Sequence, residues 1–267
     1  RSENGVALTL HEPHSRYERW MREFGAREPW ETFKLYVRAL NYRCTPASQR
    51  HKKFVVLEYD GILRLKDLTE PRLTHSLWGP QGAMPFYNLL AQLVVSRAPG
   101  KGNVLMLGLG GGCCAARMLA LLPTLSVTGV EISEHVASLA RTVFIPRYAS
   151  DGIDVSRLTV VVGDAAQLAE LPLPSRAYDV IVSDVPQTYD DGSDERFFAQ
   201  LSALACSGCV LIANSLIVRG AAERVLVTLA DDASPWHVGE QVQHMGNLVT
   251  ISTLRPARTR AKGAPPD

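Results

Sequence analysis

The spacing of apolar and polar positions changes character near residue 100. From there on, short apolar runs at 104–107, 127–130, 158–162, 180–182 and 210–213 alternate with stretches at 115–122, 135–144 and 195–204 in which apolar residues recur every three to four positions. Short apolar runs suit strands covered on both faces, and the intervening period suits helices laid against them. This alternation predicts an α/β chain of βαβ units around a parallel, Rossmann-like sheet with helices on both faces. One more helix is expected at 221–230 and two more strands within 238–254.

The first hundred residues follow another plan. Segments 17–24 and 30–40 have helical spacing, with Glu28-Pro29 as the break between them. Phe54-Val55-Val56-Leu57-Glu58-Tyr59 and Ile62-Leu63-Arg64-Leu65 then flank Asp60-Gly61. That pair predicts a β-hairpin, because a two-residue type I′ turn needs positive φ. Residues 80–85 read as a loop and 86–96 as a helix leading into Ala98-Pro99-Gly100-Lys101-Gly102. The expected organisation is a helical and β-hairpin region over 1–98, the sheet domain over 99–254 and a tail over 255–267. The tail is rich in Arg, Lys, Pro and Gly, cannot bury a core and is expected to be disordered.

Composition narrows the class. Lys and Arg total 28 against 27 for Asp and Glu, a formal charge of +1, so no broad field favours nucleic acid or an anionic membrane. No apolar run approaches the roughly 20 residues of a membrane span, and Arg1-Ser2-Glu3-Asn4-Gly5 has no apolar signal-peptide core. An intracellular protein is expected. The chain starts at Arg1 rather than Met, which leaves room for a removed organelle presequence, so cytoplasm and mitochondrion both stand. Five cysteines fit a reducing compartment. Cys206-Ser207-Gly208-Cys209 has no second pair to complete a zinc site and reads as a turn before a strand; no metal is expected.

The chemistry gathers at the strand ends. Gly108-Leu109-Gly110-Gly111-Gly112 follows the first apolar run and precedes a helix, where a nucleoside must approach backbone that a Cβ would block. Glu131 ends the second run 19 residues after Gly112, near the spacing at which a carboxylate accepts hydrogen bonds from ribose hydroxyls. Gly163-Asp164-Ala165 ends the third run, where Asp164 can accept the exocyclic amine of adenine. Tyr178-Asp179-Val180-Ile181-Val182-Ser183-Asp184 ends the fourth and sets Asp184 near the reacting end of the ligand. An NAD-type fingerprint would put a third glycine where Cys113 stands. Cys113 and Cys114 open a helix, a position that can favour a thiolate, but small-residue packing under the loop is the expected role. His51, His75 and His135 are isolated and read as ordinary surface or core histidines.

In this order, Gly108-Leu109-Gly110-Gly111-Gly112, Val130-Glu131-Ile132, Gly163-Asp164-Ala165 and Tyr178 to Asp184 resemble the spermidine synthase-like branch of S-adenosylmethionine-dependent methyltransferases. The resemblance covers roughly residues 54–217, and the Asp60-Gly61 hairpin resembles the element before the catalytic domain of polyamine synthases. It implies S-adenosylmethionine as cofactor, with Gly108, Gly110, Gly112, Glu131, Asp164 and Ala165 holding it. Three positions depart from true polyamine synthases. Gly111 or Gly112 stands where those enzymes carry an acidic residue, Arg64 where they carry Gln, and Val185-Pro186-Gln187 where Ser/Thr-Asp-Pro would follow Asp184.

The Gly-Leu-Gly-Gly-Gly form is instead similar to members that methylate protein lysines or N-termini. That implies an amine-bearing acceptor, including one on a protein, oriented by Asp184 with Tyr189 and Asp190 as the other catalytic candidates. Alignment of the amine matters more there than acid or base strength. Aminopropyl transfer is the alternative enzyme reading. The non-enzyme alternative is a methyltransferase fold retained as a structural subunit of a larger assembly, since fold does not imply function. The resemblance also allows a homodimer through the N-terminal region.

Overall fold

The computed structural model describes residues 7–9, 54–59, 61–67, 74–185, 193–216, 221–244 and 247–256. The helices expected within 17–40 and the tail beyond 256 lie outside these residues, as do His51, Tyr189 and Asp190.

The hairpin forms as its turn chemistry requires. Strands β2 (Phe54–Tyr59) and β3 (Ile62–Asp67) pair antiparallel from Tyr59↔Ile62 to Phe54↔Asp67, and Gly61 takes φ +70°. The hairpin belongs to a larger sheet than the sequence pattern indicates. β1 (Ala7–Thr9) pairs parallel with β2, β4 (Thr74–Gly79) antiparallel with β3, and β5 (Gly82–Ala83) closes a five-stranded order β1-β2-β3-β4-β5. Residues 82–83, expected as loop, are therefore a short strand. β4 escapes a propensity reading because Thr-His-Ser-Leu-Trp-Gly mixes polar and apolar types, yet Ser76 and Trp78 alternate into the interior.

Helix α1 (Pro85–Val95) follows, with Pro85 in its first turn where a missing N–H costs nothing. It buries Phe86, Leu90, Ala91 and Val94 in one cluster with Val104, Met106, Val180 and Val182, so the helix before the Pro/Gly linker shares a core with the sheet after it.

The main sheet has seven strands in the order β11-β12-β10-β9-β6-β7-β8. They are β6 (Asn103–Leu107), β7 (Ser126–Glu131), β8 (Leu158–Val162), β9 (Tyr178–Ser183), β10 (Ala205–Leu216), β11 (Trp236–His244) and β12 (Asn247–Leu254). β6 to β10 run parallel, and β12 is antiparallel to both of its neighbours. α1 and α2 (Cys113–Leu121) cover one face, while α5 (Ser193–Leu204) and α6 (Ala221–Ala230) cover the other.

Between β7 and β8 runs a composite helix: α3 (Glu134–Leu139), a π turn over Ala140–Phe144, and α4 (Ile145–Ser150). Pro146 has no N–H to return to the preceding turn, and the widened turn before it absorbs that loss. The Cys206–Cys209 stretch, expected as a turn, lies inside β10 as an irregularity with Gly208 at φ +79°.

The two sheets are tied through the glycine loop and the composite helix. Ser76 Oγ accepts the Gly111 N–H at 2.8 Å in the interior. Trp78 Nε1 donates to Asp151 at 2.7 Å, and Arg147 reaches Asp151, Glu58 and the Gly61 carbonyl. His135 Nε2 lies 3.0 Å from the Phe54 carbonyl, a docking role in keeping with an ordinary structural histidine. Ser76 is 2% exposed, so Ser76→Ala strands a buried backbone N–H and should cost about 1–3 kcal/mol in urea unfolding. A variant as stable as the wild type would mean that Gly111 finds another acceptor.

Candidate cofactor and transfer site

Strand order reverses between β6 and β9, and in open α/β sheets ligands bind in the crevice outside the carboxyl ends at such a point. The glycine loop stands there. Gly108, Gly110 and Gly112 take φ +83°, +56° and +79°, which side chains rarely adopt. A Cβ on Gly108 would lie 2.4 Å from the Asp184 carbonyl oxygen, and one on Gly110 2.9 Å from Ser76 Oγ. The close approach that excludes a Cβ at these two positions is thus made by polypeptide, rather than by the nucleoside that the glycine spacing predicts. Gly112 opens α2, whose thiols pack inward. Burial pushes the Cys113 thiol up to about 12 and Cys114 well above its ordinary value, so neither is a ready thiolate.

Glu131 ends β7 at 8% exposure. Its Oε2 accepts the Gly110 N–H at 2.8 Å and its Oε1 the Ser133 N–H at 3.0 Å, so loop and carboxylate fix one another. The next residue, Ile132, is 68% exposed, an apolar side chain in the open beside the carboxylate. Asp164 ends the β8 segment, and its Oδ1 accepts the Ala166 N–H at 2.8 Å to cap a 3₁₀ helix over Ala165–Glu170. Ala165 itself is buried.

Asp184 follows β9 on the face covered by α1 and α2. Its Oδ1 accepts from Asn214 Nδ2 of β10 at 2.7 Å. Burial pushes this carboxyl up to about 7, against the Asn214 hydrogen bond, which pulls it down. Tyr87 of α1 lies close by, its hydroxyl donating to the His75 carbonyl at 2.8 Å, and burial raises that phenol well above its usual value. The structure therefore brings Gly108, Gly110, Gly112, Glu131 and Asp184 to one edge of the sheet, with Asp164 at the end of the neighbouring strand.

Ser76, Tyr87, Ile132 and Asn214 also border this edge and escape the sequence reading. The sequence signal for Ile132 is an apolar residue between Glu131 and Ser133; Asn214 directly follows an expected strand, but nothing in sequence pairs it with Asp184. A separate depression of about 260 Å³, lined by Asn103, Ser126, Thr128, Thr159, Pro172 and Tyr178 among others, opens beside the starts of β6 and β7, away from the crevice. Among the described residues no cluster of His, Cys, Asp and Glu could hold a metal ion, and no helix is long and apolar enough to cross a membrane.

Comparison with known proteins bears on this geometry. Residues 104–208 match the family model of a methyltransferase domain. No curated protein matches the chain in sequence. Among solved structures, a probable spermidine synthase from Corynebacterium glutamicum superposes with TM-score 0.60 at 18% identity, covering 81% of this chain and 84% of that one. An O-methyltransferase from Bacillus cereus, solved with SAH, has TM-score 0.50 at 20% identity over 67% of this chain and 84% of that one. A candidate S-adenosyl-L-methionine-dependent methyltransferase from Methanococcus maripaludis has TM-score 0.51 at 16% identity over 65% and 87%. These likenesses carry the fold, a Rossmann-like methyltransferase sheet, and the match of residues 104–208 to a methyltransferase domain implies S-adenosylmethionine as the cofactor.

Proposed function

We propose that the chain transfers a methyl group to an amine, one borne by a protein, and that Asp184 is the side chain that meets the acceptor. The observation that carries this reading is the Asp184 carboxyl itself, at the strand-order reversal and pushed by burial up to about 7. S-adenosylmethionine, when bound, supplies an electrophilic methyl group on its sulfonium. The residues present fit it. Each Glu131 oxygen uses one lone pair on a backbone amide and keeps another for a ribose hydroxyl. Asp164 commits Oδ1 to Ala166 and keeps Oδ2 for an exocyclic amine, while exposed Ile132 offers an apolar surface to a base.

An amine attacks only through its free lone pair, so its nitrogen must shed a proton. A carboxyl poised near neutrality accepts that hydrogen bond or proton better than one with an ordinary value. Alignment remains the larger contribution. Tyr189 and Asp190 join Asp184 by sequence position alone, and the protein-borne amine rests on the Gly-Leu-Gly-Gly-Gly form of the first loop. A second reading, aminopropyl transfer, is favoured by one observation: the spermidine synthase-like neighbour matches 81% of the chain, more than the methyltransferase neighbours cover.

Calorimetric titration with S-adenosylmethionine, its demethylated product and decarboxylated S-adenosylmethionine separates these readings. Tight binding of the first two is expected; preference for the third would establish aminopropyl transfer in its place. If folded protein binds none of them, the enzyme reading fails and a scaffold subunit replaces it. Glu131→Ala should weaken donor binding by about 1–3 kcal/mol, and unchanged affinity in a folded variant would remove Glu131 from the site. Asp184→Asn should keep donor affinity and lower transfer to a verified acceptor.

Asp184 also couples to stability. Its carboxyl is raised from 3.8 to about 7, so the folded chain holds a proton that the unfolded chain releases over that interval. The stability of the neutral form is complete below the lower value and is lost as pH rises to the upper one. Asp184→Asn should therefore raise the thermal midpoint by on the order of 5 °C at pH 8 and by much less at pH 4.5. Equal shifts at both pH values would show that the carboxyl is not held neutral.

A further inference from the structure

Asn214 follows Ala213 on β10, and Ala213 pairs with Ser183 of β9, so Asn214 and Asp184 are neighbours across the ladder. Asn214 Nδ2 donates to Asp184 Oδ1, while Asn214 Oδ1 is buried with no hydrogen-bond partner among the described residues. A buried amide oxygen without a donor is costly and calls for a reason. On its other flank Asn214 pairs with Val249 of β12, whose fully buried side chain has no polar atom to offer.

The other groups around Asp184 are committed. From α1, the Tyr87 hydroxyl donates to the His75 carbonyl. From α2, Cys114 Sγ is directed at the Tyr87 carbonyl, and Cys113 Sγ accepts from Tyr148. Burial keeps all three groups neutral near pH 7. From the glycine loop, Gly108 brings backbone only. Among the described residues, no Lys, Arg or His pairs with the Asp184 carboxyl.

A primary amide can face a carboxyl in two ways. A carboxylate accepts from Nδ2; a carboxylic acid donates its O–H to Oδ1 after a half-turn that exchanges the amide's two ends. The unfilled Oδ1 is the partner that the acid form needs. We infer that Asn214 is a positioning residue for Asp184: its amide holds the carboxylate through Nδ2 and the carboxylic acid through Oδ1, keeping one orientation while the proton comes and goes. The inference rests on the reading of Asp184 as the acceptor-facing group.

The test is carboxyl ¹³C NMR of the full chain labelled at aspartate, with the Asp184 signal identified by its loss in Asp184→Asn. Asn214→Leu removes both contacts, and because a hydrogen bond to an ionised group is about twice as strong as one to a neutral group, the Asp184 midpoint should rise, by about one pH unit. Asn214→Asp, of the same shape but with no donor once ionised, should also raise it and decides the matter if the Leu variant does not fold. In the wild type the Asn214 side-chain amide signals should move with the Asp184 midpoint. Midpoints left at the wild-type value, or amide signals that stay flat through the titration, would overturn the assignment. Calorimetry with S-adenosylmethionine on the same samples keeps the readings apart: wild-type protein that binds no donor sinks the proposed function, while the titration still judges Asn214.

Discussion

Everything at this site depends on how closely the ends of β6 and β9 approach. The Asp184 N–H bonds to the Leu107 carbonyl at 2.9 Å, and the Gly108 N–H reaches the Val130 carbonyl of β7 at 3.0 Å. The end of β6 is thus tied on both sides at the residue where the chain must turn. Only glycine can make that turn, because of its positive φ and because the Asp184 carbonyl occupies the space of a Cβ. Relaxing this contact would move the loop, the Glu131 carboxylate bonded to it and the Asp184 side chain together.

The glycine loop is held from two layers. Its Gly110 amide goes to Glu131 in the main sheet and its Gly111 amide to Ser76 in the small one. The N-terminal sheet is therefore part of the wall of the site. The ion pairs of Arg147 with Glu58 and Asp151 sit at side-chain exposures of 27–33%, where such pairs contribute little energy. Their contribution is orientation: they fix where the hairpin meets the composite helix, which brings β4 across the loop.

The parallel core was legible because its inner strands β6, β7 and β9 are largely buried on both faces and read as apolar runs, and because glycine and carboxylate at strand ends have a direct physical reading. Strand 158–162 and helix 221–230 have the bounds expected of them. Elsewhere the determinants are not local. β4 is a strand through pairing with β3 and burial of Trp78, not through propensity, and the π turn answers Pro146 in a segment whose apolar spacing is plainly helical. The Asn214–Asp184 contact joins residues 30 apart through strand register, which no spacing rule carries. Glu131 could be read as an acid at a useful distance from the glycines, but not as one already bonded to them.

The placement of β12 bears on how the protein comes into being. This strand is the last of the described strands in sequence, yet it lies between β10 and β11 and sets Val249 against Asn214. On a ribosome, β6 to β10 can assemble while the remainder is still being made, since chains fold in the order they emerge. Until residues 247–254 arrive, Asn214 faces an open sheet edge and the neighbouring acid lacks part of its dry surroundings. The reactive character of the site is therefore acquired only once residues 247–254 have been made, and a nascent chain short of them would present the glycine loop before it has a tuned carboxyl to work with.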